Sequence, residues 1–520
     1  MLNTIPDASP RIPASFEVEP PPIPEEQISG ALEADVVVVG EGLAGLCAAL
    51  TARQAGADTL IISASARPVG RGGSVFAAYS KVMEAKGLPR QNLDDFFLEE
   101  FSSNSFLVDQ RKWYTLLDRS EEAMNWLIDI LQAAGCGVVL EDANEDDHHS
   151  PTYQPPGTHA FVGSGIARAG TGITLALNAL EEAFLAAGGR VLRSSPARRL
   201  EKTGKRVSAV LAQQKDRTYI RAKASRAVIL ATGDFSANPE MMAKYCPQYA
   251  PFFTAGGDNY DVGFSMKGLF KGEGHQMALW AGAAWQRTWP CAVMIQGSRL
   301  GTNLPYGSHR GLRLNNRGER YCNEDMNGAY TALTTLREPK GEAFAIWGAN
   351  YAREIRFRAH GGQRDGPDTP PEAVLDNWNG MADRGMLVRA DTLEGVIEAL
   401  GLPPEATMAT IRRYNELCRN GKDTDFHKKP KYLQEIREAP FYGCSLSDRF
   451  FFSVMGGPRT NWKMQICDEQ DEPIPGLYCV GSMVGDMYAH CYNFRIPGQN
   501  YGACLTFGYL TGKRAAEERT

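Results

Sequence analysis

The chain has 520 residues and a formal net charge of -6, with 22% charged and 43% hydrophobic residues. This length is too great for one ordinary hydrophobic core, so we expect two domains or one large domain with an insertion. The acidic balance without a basic stripe argues against a nucleic-acid partner, and no apolar run reaches the roughly 18 residues of a membrane-spanning helix.

The cysteines, 11 in number, are scattered along the sequence, and none forms a C-x-x-C pair. This spacing disfavours iron–sulfur clusters, c-type haem and zinc ribbons, so we predict no metal site. Reduced cysteines, and a start without a basic and then apolar leader, favour a cytoplasmic protein.

Residues 1–30 are rich in proline, including Pro20-Pro21-Pro22, and the prolines alternate with glutamates. This composition favours an extended arm that lies on the surface or is partly disordered. The same prolines could serve as a ligand for a partner domain, but a passive arm is the simpler interpretation.

A buried strand followed by a glycine turn comes next. The apolar run Val36–Val39 suits a parallel strand, and Gly40, Gly42 and Gly45 supply G-x-G-x-x-G spacing. The first glycine permits the tight turn, the second lets the backbone approach a pyrophosphate, and the third lets the following helix pack on the strand. The pattern predicts a bound dinucleotide at the helix N-terminus, the alternative being a purely structural turn.

The second predicted strand, 58–63, ends at Ser63, where a dinucleotide fold usually has an acidic residue for a ribose hydroxyl. A serine hydroxyl can still bind a ribose, but without charge assistance. The glycine-rich loop 70–80 follows. Its backbone can lie close to a flat ring or a phosphate, although an ordinary turn has the same composition.

Apolar residues at helical spacing predict packed helices over 90–135 and an amphipathic helix over 170–184. Between them, the polar run 141–150 carries His148 and His149 beside several acids. A solvated loop explains this run better than a metal cluster does.

Two alternating segments, 206–212 and 219–222, predict antiparallel strands. The apolar segment 226–233 then predicts another buried strand, which ends in Ala-Thr-Gly and returns the chain to the cofactor sheet.

Several motifs now stand in one order, and together they are specific. They are the glycine turn at 40–45, Ala231-Thr-Gly-Asp-Phe-Ser-Ala-Asn238, Gly272-Glu-Gly274, the segment Leu314 to Glu324, and Ile474-Pro-Gly-Leu-Tyr-Cys-Val-Gly481. Over about residues 33–516 the chain resembles the flavoprotein family of fumarate reductase and succinate dehydrogenase. The branch it resembles also holds flavin-dependent 3-ketosteroid dehydrogenases and anaerobic enoate and isoflavonoid reductases.

The resemblance implies an α/β fold with a Rossmann-like FAD-binding domain split into 31–300 and 451–520, and an inserted α+β capping domain at 301–450. FAD would be bound non-covalently, because the loop 70–80 lacks the histidine that links flavin in the family. The residues implied to hold FAD are Gly40, Gly42, Leu43, Ala44, Gly45, Ser63, Gly72, Gly73, Ser74, Ala197, Thr232, Gly233, Glu273, Gly481, Ser482, Asn500 and Tyr501.

The resemblance also implies transfer of hydride from flavin N5 to one carbon of an activated bond, while a protein group handles the proton. Arg495 matches the substrate-binding arginine of the family. Gly328 stands in place of a proton-delivering arginine, and Ser453 and Trp289 stand in place of two histidines that hold substrate carboxylates. Without this positive charge, fumarate and succinate are poor candidate substrates.

Aromatic residues around the predicted flavin loops favour a neutral, flat substrate, although core packing alone would also explain each of them. The predicted substrate wall consists of Trp289, Ser453, Tyr488 and Tyr492. The predicted catalytic residues are Arg495, Tyr330 and Asp325, with His490 and Tyr488 as alternative proton donors.

These observations predict an FAD-dependent reductase of a neutral cyclic or phenolic small molecule. The reducible bond would be a C=C bond or a benzylic C–O bond, in a steroid-like or isoflavonoid-like (tetrahydrodaidzein-type) compound. Alternatives are a 3-ketosteroid dehydrogenase, a flavin subunit that only relays electrons, and an inactive flavoprotein kept as a binding module. Electrons would come from a separate donor protein or from reduced nicotinamide or flavin.

Overall fold

A computed structural model of the chain describes residues 14–141, 155–163, 172–252, 269–296, 311–325, 328–354, 370–447, 449–493 and 496–518. The first part of the proline-rich arm, His148, His149 and Arg495 lie outside the described residues. For Tyr330 only the backbone is described.

The described part of the chain contains both strands and helices. The strands are β1 (Ile28–Val39), β2 (Thr59–Ile62), β3 (Val75–Phe76), β4 (Gly137–Leu140), β5 (Thr158–Val162), β6 (Arg190–Leu192), β7 (Ala197–Thr203), β8 (Arg206–Gln213), β9 (Tyr219–Leu230), β10 (Cys291–Gln296), β11 (Arg313–Leu314), β12 (Phe344–Gly348), β13 (Val388–Ala390), β14 (Phe441–Ser445), β15 (Arg449–Met455), β16 (Gln465–Cys467) and β17 (Pro473–Cys479). The α-helices are α1 (Leu43–Gln54), α2 (Lys81–Ala85), α3 (Leu93–Ser103), α4 (Gln110–Ala133), α5 (Gly172–Ala186), α6 (Pro239–Tyr245), α7 (Glu273–Trp280), α8 (Gly328–Thr335), α9 (Tyr351–Glu354), α10 (Pro371–Asp383), α11 (Leu393–Ala399), α12 (Pro404–Arg419) and α13 (Gln499–Glu517).

The largest sheet has the strand order β16-β17-β9-β1-β2-β6. Strands β17, β9, β1, β2 and β6 are parallel, and β1 lies at the centre, with Val36 opposite Thr59 of β2 and Ala227 of β9. Because both faces of this sheet are covered, Val36–Val39 are all buried, as a continuous apolar run predicts. The parallel sheet with helices confirms the predicted α/β class.

Strand β9 is one continuous strand, although the sequence pattern predicts two separate strands in this region. Its first half alternates because it pairs antiparallel with β8, where Ala209 lies opposite Lys223. Its second half is continuously apolar because it lies between β1 and β17. A register shift between Ala34 and Val36 of β1 marks the change. The predicted antiparallel pairing and the return to the cofactor sheet are both present.

Helices α1 and α13 pack closely together because α13 has glycines, which lack a side chain, at the contact. A Cβ atom at Gly508 would lie 2.6 Å from the carbonyl oxygen of Ala44, and one at Gly512 would lie 2.1 Å from that of Ala48. These two helices are thus held as a pair in the part of the molecule built on the largest sheet, the body, although more than 440 positions separate them in the sequence.

A second sheet, with the antiparallel order β11-β12-β14-β13, forms a separate part of the molecule. With helices α10, α11 and α12 it encloses its own core, in which the rings of Trp347, Trp378 and Tyr442 contact one another. This α+β part is the inserted cap. Strands β10 and β15 pair antiparallel where the chain leaves the body and returns to it.

The described end of the arm lies on the body. Phe16 is buried in a cluster with Phe235 and Met241, and its carbonyl accepts a hydrogen bond of 2.9 Å from Nε1 of Trp280. Arg199 of β7 donates to the carbonyl of Pro20 at 2.8 Å. Residues 14–27 therefore follow the surface with a few fixed contacts, and two short 3-10 turns, Ser15–Glu17 and Glu25–Gln27, interrupt the extended backbone.

Candidate cofactor and substrate site

The three glycines of the turn have three different surroundings. Gly40 has φ of +115°, and a Cβ atom there would lie 2.2 Å from the carbonyl oxygen of Ala231. At Gly45 a Cβ would lie 2.1 Å from the carbonyl oxygen of Gly40, so helix and strand touch here. At Gly42 the nearest described atom would be 3.6 Å away. Protein packing therefore explains two of the glycines, and the space at the third remains for a ligand.

The N-terminus of α13 meets the glycine-rich loop beside this turn. A Cβ at Gly498 would lie 2.7 Å from the backbone of Ser74, and the Tyr501 hydroxyl accepts the N–H of Arg71 at 2.7 Å. The Asn500 side chain donates to Oγ of Ser482 at 3.0 Å. Four predicted FAD residues, Ser74, Ser482, Asn500 and Tyr501, are thus brought together, although Oγ of Ser74 itself donates to Glu141.

The end of β2 carries hydroxyl groups in place of an acid. Ser63 is buried, and its hydroxyl lies 3.0 Å from Oγ of Ser65. Next to it, Arg193 donates to Glu41 through Nη2 at 2.8 Å and also pairs with Glu181. The Ser63 N–H donates to the Leu192 carbonyl, so this ion pair lies directly beside Ser63. Sequence reasoning missed Glu41, whose signal was an acid inside a glycine turn.

Asp234, which follows the Ala-Thr-Gly turn, joins three segments. Its buried carboxylate accepts from Arg71 at 2.6 Å, from the N–H of Val454 at 3.1 Å and from the N–H of Ser236 at 2.9 Å. The ring of Phe452 also lies against Gly72. Strand β15, with Ser453 between Phe452 and Val454, is therefore fixed at the glycine-rich loop.

The remaining predicted FAD residues lie around the same end of the sheet. Thr232 contacts α7, where a Cβ at Gly274 would lie 2.1 Å from Oγ1 of Thr232. Glu273 begins α7, Ala197 begins β7, and Gly481, at φ of +87°, follows β17. Gly233 follows β9 in the left-handed region, and Gly73 is buried in the loop.

These residues fit a dinucleotide. Carboxyl ends of parallel strands, an open position at Gly42, and the N–H groups at the start of α1 and α13, which have no intrahelical partner, together suit a pyrophosphate and a flat ring. Leu43 and Ala44 supply two of these N–H groups at the start of α1.

The loop 485–493 forms the other side of the site and is fixed by residues far away in the sequence. Lys112 Nζ donates to the Gly485 carbonyl at 2.7 Å, and Trp113 Nε1 donates to that of Met487 at 2.8 Å. Asn104 accepts the N–H of Ala489 at 2.9 Å. Helix α4 and the end of α3 therefore hold the loop.

This loop carries two of the four residues of the predicted substrate wall, Tyr488 and Tyr492. The rings of Tyr488 and Tyr492 lie 5.8 Å apart between centroids, and the Trp289 and His490 rings 6.2 Å apart. Tyr488 is buried, whereas Trp289 is 58% exposed, an unusual position for a tryptophan. The N–H of His490 donates to the Trp289 carbonyl at 3.2 Å, which connects the two halves of the wall.

Burial raises the pKa of Tyr488 and of Tyr492, in both cases mainly through desolvation. Both phenols therefore keep their protons at neutral pH, and each can donate a hydrogen bond or a proton. The N–H of Asn500 donates to the Tyr492 hydroxyl at 3.4 Å, so Tyr492 connects this wall to α13.

The cap residues expected near the reaction have a different setting. Asp325 is buried just before α8, and its N–H donates to Asn323 at 2.8 Å. The adjacent Glu324 is bonded to Arg320 at 2.8 and 2.9 Å, and Arg320 is bonded to Asp423. Glu324 is thus part of a buried ion-pair network inside the cap.

Metal clusters and membrane-spanning helices are both absent from the residues that the structure describes. Within the described ranges, no cluster of three or more His, Cys, Asp or Glu side chains could hold a metal ion. No helix in the same part of the chain is both long and apolar enough to span a membrane.

Comparison with known proteins places this geometry in a family. A sequence profile of the FAD binding domain family matches residues 35–494. The vinyl phenol reductase of Lactiplantibacillus plantarum is 26% identical over 497 residues, which cover 93% of this chain and 96% of that protein. The fumarate reductase (cytochrome) of Shewanella frigidimarina is 25% identical over 498 residues, which cover 93% of this chain and 77% of that protein.

A solved structure shares the fold. The 3-ketosteroid Δ4-(5α)-dehydrogenase of Rhodococcus jostii, solved with 4-androstene-3,17-dione, superposes with a TM-score of 0.71 at 23% identity, covering 93% of this chain and 97% of that one. The predicted Rossmann-like fold with a capping insertion and the predicted FAD cofactor are confirmed. The chain belongs to the FAD binding domain family of flavoproteins and is an FAD-dependent oxidoreductase.

Proposed function

We propose that this flavoprotein reduces a C=C bond conjugated to a phenol or an enone in a neutral, cyclic small molecule. The observation that carries the proposal is an aromatic wall, with Tyr488 and Tyr492 on the rigidly held loop 485–493 and Trp289 bonded to that loop through the N–H of His490. The similarity to a vinyl phenol reductase over 93% of the chain supports a phenolic substrate.

The charges around this wall argue against a dicarboxylate. Lys112 is bonded to the Gly485 carbonyl and paired with Asp109, and Arg287 is paired with Asp471. Cations already bound in this way offer little positive field to two carboxylates. A flat neutral ring, by contrast, gains contact area from aromatic side chains.

We assign the roles as follows. When bound, FAD supplies the hydride that reduces the substrate carbon. Tyr488 and Tyr492 hold their protons, so they orient a substrate oxygen by donating to it and can deliver a proton to the carbon next to the reduced one. Arg495, Tyr330 and Asp325 remain proposed catalytic residues. Arg495 would stabilise a phenolate or enolate charge on the substrate.

The substrate range separates the proposal from its alternatives. Purified holoenzyme is photoreduced without oxygen and mixed with a hydroxystyrene, an isoflavonoid, a 3-ketosteroid enone or fumarate, while flavin absorbance is followed. We expect fast reoxidation by the hydroxystyrene or isoflavonoid and slow reoxidation by fumarate. Fast reoxidation by fumarate would contradict the substrate argument, and reoxidation by the steroid alone would favour a 3-ketosteroid enzyme.

Substitutions locate the proton donor in the same assay. Tyr488→Phe and Tyr492→Phe each remove one hydroxyl and keep the ring, and Tyr114→Phe, on the exposed face of α4, is the matched control. Loss of a general acid costs roughly 10²–10⁴-fold in rate. Normal rates in both tyrosine variants and in Tyr330→Phe would show that the proton comes from elsewhere.

The source of the electrons that reduce the bound FAD is also a proposal. We expect a separate donor protein, or free reduced nicotinamide or flavin, to reduce the bound FAD. Reduction of the enzyme by NADH alone, followed at the flavin band, distinguishes the free carrier from a protein donor.

A further inference from the structure

A carboxyl group that no sequence motif contains lies buried behind the site. Glu100 of α3 is fully buried, and its Oε1 accepts from Nδ2 of Asn104 at 2.6 Å. Its Oε2 has no hydrogen-bond partner among the described residues. An ionised carboxylate in this position would be costly, because a buried charge needs an opposite charge or several donors.

Glu100 lies close both to the aromatic loop 485–493 and to the first residue of α13. Asn104, which holds one carboxyl oxygen, also holds the N–H of Ala489 in the loop at 2.9 Å. On its other side the carboxyl group is in contact with the side-chain amide of Gln499, the first residue of α13. Glu100 is therefore connected to Ala489 of the loop through Asn104 and lies beside Gln499 of α13.

Gln499 has an acceptor that matches the carboxyl group. Its Nε2 donates to the Asn493 carbonyl at 2.8 Å, and this bond connects the start of α13 to the end of the loop 485–493. Its Oε1 is buried without a hydrogen-bond partner among the described residues. Two neighbouring oxygens, one on each side chain, thus lack a donor, and one proton on the carboxyl group would satisfy both.

The groups that face Glu100 do not favour its charged form. Among the residues that the structure describes, they are Glu99 on the same helix, Tyr488, Cys491 and Tyr492 of the loop, and Cys291 of β10. None of these groups is a cation. Burial raises the pKa of Glu100 well above its ordinary value, and the nearby side-chain amides of Gln499 and Asn104 lower it only in part.

We propose that Glu100 is a protonated carboxylic acid that positions the start of α13 by donating a hydrogen bond from Oε2 to Oε1 of Gln499. Gln499 in turn holds the Asn493 carbonyl, and the next two residues, Asn500 and Tyr501, hold Ser482 and the Arg71 backbone. Glu100 is thus a positioning residue for the FAD side of the site. The proposal does not depend on the substrate class.

The protonation state is tested on the full-length holoenzyme. Glu100→Gln keeps a neutral donor but cannot ionise, and Glu99→Gln is the matched control on the neighbouring residue. A protonated acid in the fold must release its proton on unfolding above pH 4.5, the ordinary value for the group. The unfolding equilibrium constant of E100Q relative to wild type should therefore fall by up to about tenfold per pH unit above that pH.

Infrared spectroscopy gives an independent reading. The carbonyl stretch of a neutral carboxylic acid should be present at pH 7 in wild type and in E99Q, and absent in E100Q. If the ratio of unfolding constants is constant with pH and no such band is lost, Glu100 is ionised and the proposal is overturned.

The positioning role is tested by FAD affinity. Glu100→Leu removes the donor and leaves Oε1 of Gln499 buried without one, so the Kd for FAD should rise about tenfold. E100Q should restore tight binding, because its amide can donate in place of the acid. Unchanged FAD affinity in E100L overturns the role, and so does E100Q binding as weakly as E100L.

Discussion

Glu41 places a buried carboxylate inside the glycine turn, beside the strand end where Ser63 replaces the usual acid. Arg193 neutralises this carboxylate at 2.8 Å, and Arg193 is itself shared with Glu181. The adenosine end of the site therefore contains a charge, but the charge belongs to an ion pair rather than to a free acceptor. We therefore propose that recognition of the ribose depends on the hydroxyls of Ser63 and Ser65 and on backbone groups.

Glu41→Gln tests the importance of this pair. The substitution leaves Arg193 with Glu181 only, and because Arg193 is one-third exposed the loss is smaller than for a fully buried pair. We expect the free energy of unfolding to fall by about 1–2 kcal/mol and FAD to dissociate more readily, as measured by urea unfolding and flavin fluorescence. Glu33→Gln, which breaks an exposed pair with Lys223, is the control and should change neither.

Two buried histidines predict a pH dependence of stability. Burial lowers the pKa of His275 and of His159 from 6.5 to about 4. The unfolded chain therefore takes up protons below pH 6.5 that the folded protein accepts only near pH 4. Stability should fall between those values as the pH is lowered and should not depend on these groups above pH 7.

The expected size is about 2 kcal/mol for each histidine between pH 6.5 and pH 5, since one unit of pKa is worth about 1.4 kcal/mol. Urea midpoints at pH 7 and pH 5 measure it. His275→Gln should reduce the pH slope even if it lowers stability at pH 7. An unchanged slope in this variant would show that His275 is charged in the folded protein.

The glycines between β1 and α1 have different roles: some are needed for packing, and one leaves room for a ligand. Gly45 is required because a side chain there would meet the backbone of Gly40, whereas at Gly42 the protein leaves room for one. The same three-glycine pattern thus contains two positions that the fold needs, Gly40 and Gly45, and one that we propose the ligand needs, Gly42.

Two alanine substitutions should divide these effects. Gly45→Ala should lower the free energy of unfolding by about 3 kcal/mol or more, because the clash is with backbone that cannot move without separating α1 from β1. Gly42→Ala should fold with nearly wild-type stability as the apoprotein but bind FAD at least about tenfold more weakly. Apoprotein unfolding and FAD titration measure the two. A Gly42 variant that binds FAD normally would place the pyrophosphate elsewhere.

The elements show what the sequence can and cannot predict. Val36–Val39 and 226–233 were predictable because a strand between two parallel neighbours must be apolar on both faces. The glycine turn was predictable because its conformation requires glycine. The loop 485–493 was not, because Lys112 and Trp113 hold it from positions 373 and 374 residues away in the chain, and no local pattern records such contacts.

The roles of individual side chains were harder to predict from the sequence than the strands and turns. Glu100 and His275 are polar residues on apolar helix faces, and periodicity alone gives no reason to single them out. Asp234 and Arg71 stand in predicted cofactor motifs, but their bond across 163 positions appears only in the fold. The predicted roles of Arg495, Tyr330 and Asp325 remain predictions.

The body and the cap have separate hydrophobic cores. One contains Val37, Leu46 and Leu505, and the other Trp347, Trp378 and Tyr442. All of the predicted FAD residues belong to the body. We therefore propose that the two parts unfold as separate units and that FAD stabilises only one of them.

Calorimetry tests this division. Two transitions are expected, and free FAD at 100 times its Kd should stabilise only the body, by about 2.7 kcal/mol. Trp378→Phe, which loosens the aromatic core of the cap, should lower only the other transition. A single transition that moves with both FAD and the substitution would show that the cores are coupled.

The antiparallel pair β10 and β15 has a consequence for how the chain can change. Gln296 lies opposite Arg449, so the cap begins and ends at neighbouring points, as if it filled the turn of a hairpin. A segment whose two ends meet can be shortened, exchanged or replaced by a tight turn without altering the order of the strands around it. Descendants of this chain could thus exchange the cap, with the proposed catalytic residues Asp325 and Tyr330, as one contiguous stretch of gene, while the flavin-binding residues and the aromatic wall outside it stay intact.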